Sequence, residues 1–165
     1  MAQDLFSLTQ IRHLMRVEFS RAQRYSYPLG GLVIRVDGIE KVRVGHGFEA
    51  ADDVVAQVTD MLVARTRACD HLGRLVDDRL VAVLPHTDSS GAQALGARLV
   101  QAAHELEVTV AGQKLPVTVS VGSTCFEDSN TLFFDALVDA ADAAFEQAVA
   151  AGGDRVVHVS PAEVA

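Results

Sequence analysis

Arg67 to Pro85 reads RACDHLGRLVDDRLVAVLP and places two charged groups of side chains close together. The first is Arg67-Ala68-Cys69-Asp70, a guanidinium and a carboxylate three residues apart. Such a pair offers binding through parallel hydrogen bonds to a ligand. It equally fits a solvated ion pair worth about 0.3–0.5 kcal/mol. The second group is Val76-Asp77-Asp78-Arg79, set between the apolar runs Asp70–Leu75 and Leu80–Leu84. Alternating Leu and Val around turn-tolerant Asp residues predict a β-hairpin with an acidic tip. Asp77 and Asp78, joined by Asp37, are a set of carboxylates of a type that can hold a metal. Arg79 and Arg35 lie beside them in sequence, however, and favour a polar tip without an ion.

These residues sit in a chain of 165, long enough to bury a sizeable core, with 49% apolar and 22% charged residues. One domain over 1–165 is expected, its core running from about residue 8 to 159 and a short tail from 160 to 165. The net charge of −8 argues against a nucleic-acid polymer as partner, because neutralising phosphates takes clustered cations. Fourteen basic residues still leave room for a local cationic pocket. Cys69 and Cys125 match no metal-ligand spacing. With no signal peptide visible, they read as reduced thiols of a cytoplasmic protein. No apolar run approaches the ~18 residues of a membrane span, so no membrane partner is expected. His46, His71, His104 and His158 show no paired spacing and read as surface or packing residues.

The elements that must position the charged groups follow from periodicity. Leu8–Tyr25 carries one apolar helical stripe through Ile11, Met15, Phe19 and Ala22. After Pro28, Leu29–Val36 reads as a central strand buried on both faces. Glycines 38, 45 and 47 mark a turn-rich connection, and Ala50–Arg67 a long helix. Beyond the hairpin, Asp88-Ser89-Ser90 caps a helix to about Glu105. Val108–Val110 and Leu115–Thr124 read as strands joined by Gly112. Asn130 or Thr131 starts a helix that Gly152-Gly153 ends, and Arg155–Val159 is a last strand. The core order β-α-β-β-α-β predicts an α+β, ferredoxin-like fold: a central, mostly antiparallel sheet flanked by helices.

RAQRYSYPLGGLVIRVDG, GHGFEAADDVVAQVTDMLVARTRACDHLGRL, LPVTVSVG and AADAAFEQAVAAGGDRV, in this order and spacing, resemble the GGDEF domain of diguanylate cyclases. The likeness runs from about residue 8 to 159 and implies the palm fold of nucleotidyl cyclases. Active members of the family join two GTP molecules, one per domain of a dimer, into cyclic di-GMP with a metal ion. The resemblance places the signature at Val76-Asp77-Asp78-Arg79-Leu80, where two glycines have become valine and aspartate and one acid has become Arg79. It places Arg35 where the family has a metal-binding aspartate, with Asp37 kept. A guanidinium ~4 Å from a divalent ion is repelled by roughly twice the ~4 kcal/mol of a unit pair at an effective dielectric near 20. Arg43 stands for the guanine-reading asparagine, while its partner aspartate survives as Asp52. Val149 and Gly153 stand for the two phosphate-binding cations, and the front-end motif DLTGLxNR is reduced to SLTQIRH. Together these losses imply a non-catalytic domain without a resident metal or cofactor.

The resemblance also implies a second nucleotide site. Many cyclases carry an inhibitory product site, Arg-x-x-Asp, five residues ahead of the signature, and Arg67 and Asp70 meet that spacing. Arginine can donate to guanine O6 and N7, and aspartate can accept from N1–H and N2–H. Arg98, on the 88–105 helix, is the candidate for a further arginine. The expected function is therefore a cyclic di-GMP receptor that signals to a protein partner or through self-association, such as a homodimer. The alternatives are a ligand-free interaction module, a GTP-binding pseudo-enzyme relying on Asp52 and Asp78, and an active cyclase.

Overall fold

The computed structural model describes residues 5–127 and 134–161. Helix α1 (Leu8–Tyr25) begins on a capping box. Ser7 accepts from the Gln10 backbone N–H while the Gln10 side chain reaches back to Ser7 N–H. It leads into strand β1 (Leu29–Val36), followed by α2 (Ile39–His46), α3 (Phe48–Arg65), and the β2 (His71–Arg74) and β3 (Leu80–Pro85) hairpin. Next come α4 (Ser89–His104), β4 (Val108–Val110), β5 (Gln113–Leu115), β6 (Val119–Phe126), α5 (Phe134–Ala150) and β7 (Arg155–His158).

Five strands form one sheet in the order β2-β3-β1-β6-β7. Strand β1 is antiparallel to both β3 and β6, β2 is antiparallel to β3, and β7 is parallel to β6. The first four strands have the ferredoxin-like order expected from β-α-β-β-α-β. Period-two alternation along β1 divides the core. Leu32, Ile34 and Val36 pack with α3 and α4, together with Val54, Val58, Leu95 and Leu99. On the other face, Leu29, Val81 and Val83 meet Ile11 and Phe19 of α1 and Leu137 of α5, while Val33 meets Phe145.

Three expectations change. The segment after β1 is a helix, α2, rather than a run of turns. Gly38 (φ 70°, left-handed) and Gly47 (φ 95°, extended in ψ) take positive-φ conformations at its two ends, and Ile39 anchors it in the core. Leu115–Thr124 is two strands instead of one. Pro116 lacks the N–H a ladder needs, so β5 folds back on β4 as a separate ribbon while β6 joins the main sheet. Helix α3 stops at Arg65, leaving Arg67 outside it. The expected helix start at Asn130 or Thr131 lies outside the described residues. Among the described residues, no helix is long and apolar enough to cross a membrane.

Candidate functional site

The β2–β3 hairpin has two charged ends. At its tip, Asp77 (φ 59°) and Asp78 (φ 62°) both adopt left-handed backbone, as a two-residue hairpin turn demands. Leu75 N–H donates to Arg79 O at 2.8 Å and closes the turn. Asp78 then accepts from Arg43 Nη2 of α2 at 3.0 Å. Arg43 also pairs with Glu40, and its ring neighbour is Phe48. The hydrogen bond to Asp78 raises the Arg43 pKa and keeps that cation charged. Arg79 pairs with Asp142 of α5 at 3.3 Å. Burial pushes the Asp142 carboxyl up, with Arg79 opposing.

The residues at the end of β1 are engaged as well. The Arg35 guanidinium lies 5.1 Å from the centre of the Phe145 ring, a cation–π arrangement. Asp37 accepts from Thr118 Oγ1 at 2.8 Å, Ser120 Oγ at 2.6 Å and Asp154 N–H at 2.9 Å. Its carboxylate therefore ties the end of β1 to β6 and to the start of β7. Asp52 is exposed on α3, near enough to Arg43 to help hold its charge. Among the described residues, no three His, Cys, Asp or Glu side chains come together as a metal ion would require. Asp37 and Asp78 are thus drawn apart into separate networks rather than pooled at the tip.

At the base of the hairpin, a turn, not helical spacing, brings Arg67 and Asp70 together: Asp70 N–H donates to Arg67 O at 3.0 Å. Asp70 Oδ2 accepts from Arg67 N–H at 2.8 Å and Oδ1 from Arg67 Nη2 at 3.1 Å. That carboxylate is only 2% exposed, against 53% for the Arg67 side chain. Both oxygens of Asp70 therefore hold Arg67, one through the backbone and one through the guanidinium. Nη2 of Arg67 also donates to Pro85 O at 2.8 Å and Thr87 Oγ1 at 2.6 Å. These bonds fix the guanidinium while its Nε and Nη1 find no acceptor among the described residues. Arg67, Asp70 and Arg98 line one open groove of about 350 Å³, with Arg65, His86 and Thr87. The exposed Arg98 has no acidic partner among the described residues. Cys125 backs the groove: its Sγ donates to Thr87 O at 3.3 Å, and burial pushes its thiol up to about 12.

The sequence profile described as "Diguanylate cyclase, GGDEF domain" matches residues 4–155. The chain belongs to the GGDEF family. It is 24% identical over 151 residues to diguanylate cyclase A of Treponema denticola, covering 88% of this chain and 38% of that protein. It therefore spans well under half of that relative's length. Among solved structures, the diguanylate cyclase SiaD of Pseudomonas aeruginosa, crystallised with its activator SiaC, superposes with a TM-score of 0.86. Identity there is 26%, over 94% of this chain and 59% of SiaD. The coiled coil and GGDEF domain of DgcB from Caulobacter crescentus, in complex with c-di-GMP, has a TM-score of 0.86 at 14% identity. That match covers 94% of this chain and 82% of the other and shows the shared fold.

Several residues that shape this GGDEF domain's charged ends carry no local signal in the sequence. Thr118, just before β6, and Ser120, within it, lie two apart, but their partner Asp37 follows the end of β1, distant in sequence. Asp142 and Thr87 likewise become partners of Arg79 and Arg67 only through packing. His71, read as surface or packing, lies 3.3 Å from the buried Glu18, and His104 lies 2.6 Å from Asp154. Arg65 was open to view, two residues before Arg67, as a third cation of the groove.

Proposed function

We propose that this GGDEF domain does not turn over GTP and acts as a receptor for cyclic di-GMP, bound in the Arg67–Asp70–Arg98 groove. The observation that carries this reading is the convergence of Arg67 and Arg98 on one groove, with Arg67 held in place by Asp70, Pro85 and Thr87. Arg67 would donate to guanine O6 and N7, a contact worth about 1–3 kcal/mol per base. Arg98 would meet phosphate or stack on a second base. Asp70 would orient Arg67 rather than touch the ligand. The DgcB domain, of the same fold, binds c-di-GMP. The absence of turnover is supported at the other end of the hairpin: Arg43 occupies Asp78, and Asp37 is spent on Thr118, Ser120 and Asp154. Among the described residues, no group of three His, Cys, Asp or Glu side chains converges there to hold a metal.

Calorimetric titration of cyclic di-GMP into the wild-type chain and into Arg67→Ala tests the receptor, with GTP as control. Micromolar binding, lost in the variant and absent for GTP, is the expected result. Undetectable binding of cyclic di-GMP would overturn the receptor reading, and any dinucleotide formed from GTP and Mg²⁺ would overturn the non-catalytic one. A second reading, a protein-interaction or self-association module, is favoured by one observation of its own. Val44, Phe48 and Val76 are 86%, 73% and 49% exposed. They flank the Arg43–Asp78 pair and leave an apolar surface around the degenerate tip. Sedimentation of wild type against Phe48→Ser distinguishes a self-associating domain from a monomer.

A further inference from the structure

A second cavity, which reaches the hairpin tip at Val76 and Arg79, lies between the sheet and the α1–α5 layer. Its volume is about 300 Å³, within the range of small-molecule sites. Met15 of α1, Val81 and Val83 of β3, and Leu137 and Ala141 of α5 give it apolar walls. The floor is Gly31 of β1, where a side chain would otherwise fill the space. A Cβ built there meets nothing nearer than Thr124 Cγ2, at 3.7 Å.

Two polar features break this apolar lining. Thr124 of β6, paired with Gly31 across the ladder, lines the cavity and is 1% exposed. Its Oγ1 has no hydrogen-bond partner among the described residues. The methyl Cγ2 of Thr124 faces Gly31, and a χ1 rotation that turns the hydroxyl toward the cavity lets a ligand atom recover the free energy that an unpartnered buried hydroxyl costs. At the rim stand Arg12, Arg16 and Arg79, against Asp135 and Asp142. Arg79 and Asp142 neutralise each other, and Arg16 lies over the Phe134 ring at 4.9 Å. Arg12 is exposed and has no acidic partner among the described residues.

We propose that this cavity is a binding site for an amphipathic monocarboxylate: an aliphatic body against the walls, a hydrogen-bonding group at Thr124, and the acid at Arg12 and Arg16. The four residue steps from Leu29 to Val33 along the floor span about 13 Å at ~3.3 Å each, room for a chain on the order of ten carbons. The apolar walls supply affinity and the two polar ends supply selection. Because α1, α5 and the hairpin all contribute to the wall, an occupant would tie these elements together.

The test is calorimetric titration of 10-hydroxydecanoate, decanoate and decan-1-ol into the full chain. Wild type is expected to bind the hydroxy acid roughly fivefold more tightly than decanoate, the ratio one hydrogen bond supplies. Thr124→Val should erase that preference. Arg12→Gln should weaken both acids by about threefold and leave decan-1-ol unchanged. Gly31→Val, which fills the cavity from β1, should abolish binding of all three with the circular dichroism intact. Should Gly31→Val fail to fold, Ala141→Leu fills the same space from α5 and gives the same readout. No binding to wild type, or binding that survives the filled cavity, overturns the site. Equal binding of the three probes overturns the ligand class.

Discussion

At the tip of the β2–β3 hairpin each cation meets an acid or an aromatic ring. At its base, Arg98 shares an open groove with Asp70 and Asp88 but ion-pairs with no acid among the described residues, and Arg67 leaves Nε and Nη1 without an acceptor there. The tip pairs Arg43 with Asp78 and Arg79 with Asp142, sets Arg35 over Phe145, and ties Asp37 to three donors. The base spends a single carboxylate, Asp70, on holding Arg67 still. Both ends are rich in charge, but a ligand can use only charge that the protein has not already used. Internal neutralisation makes the tip a structural joint, and incomplete neutralisation leaves the base the positive charge that the proposed receptor site requires.

The contrast is sharpest at Asp37. If its carboxylate is a clamp, Asp37→Ala strands two hydroxyls and a backbone N–H and should cost about 3 kcal/mol in urea unfolding at pH 7. A carboxylate held ready for a metal would instead leave stability unchanged or raise it, and that outcome would break the comparison.

Cys125 tests the base. The thiol's ordinary value of 9.0 is lifted to about 12 by burial, so the folded chain keeps a proton that the unfolded chain releases. Stability should be intact below pH 9 and then fall by about 1.4 kcal/mol per pH unit as pH rises toward 12. By pH 10.5 the loss is about 2 kcal/mol, and Cys125→Ala should remove this dependence. Urea midpoints at pH 8, 9.5 and 10.5 in the two proteins measure it. A slope shared by both would show that the thiol does not hold the base together.

Arg98→Ala should weaken cyclic di-GMP binding by about fivefold, near 1 kcal/mol, while leaving the urea midpoint where it was. A loss of stability without a loss of affinity would make Arg98 structural and the base no different from the tip. The smallest effect belongs to the turn itself. Asp77 pays for left-handed backbone that glycine adopts freely, so Asp77→Gly should stabilise the chain by about 0.5–1 kcal/mol, read as a higher urea midpoint. Destabilisation would mean that the Asp77 side chain supports the tip in a way its backbone does not reveal.

Local patterns were enough for much of this molecule. The apolar stripe of α1 and the mostly apolar run of β1 gave both elements their observed bounds, Leu8–Tyr25 and Leu29–Val36. The hairpin was legible because Asp-Asp between alternating runs has few other conformations open to it. The misreadings share a cause. Helix α2 escaped notice because glycines that cap a helix look the same as glycines that break one, and only the burial of Ile39 decides between them. The break between β5 and β6 required knowing which strand each would pair with.

The two charged ends divide along the same line. Residue types and spacing alone determined that Arg67 and Asp70 lie near each other, because a short chain segment limits their separation. They also determined that Val76–Arg79 is a turn, with Arg79 beside Asp77 and Asp78 at its tip. Only the tertiary structure decided that Asp70 turns inward, that Arg98 reaches the same groove, and that Asp37 belongs to β6 and β7 rather than to Asp78. The physical reason is range. Conformational preference acts over a few residues, whereas the state of a charge depends on every partner within a few ångströms, and most of those partners come from distant parts of the chain.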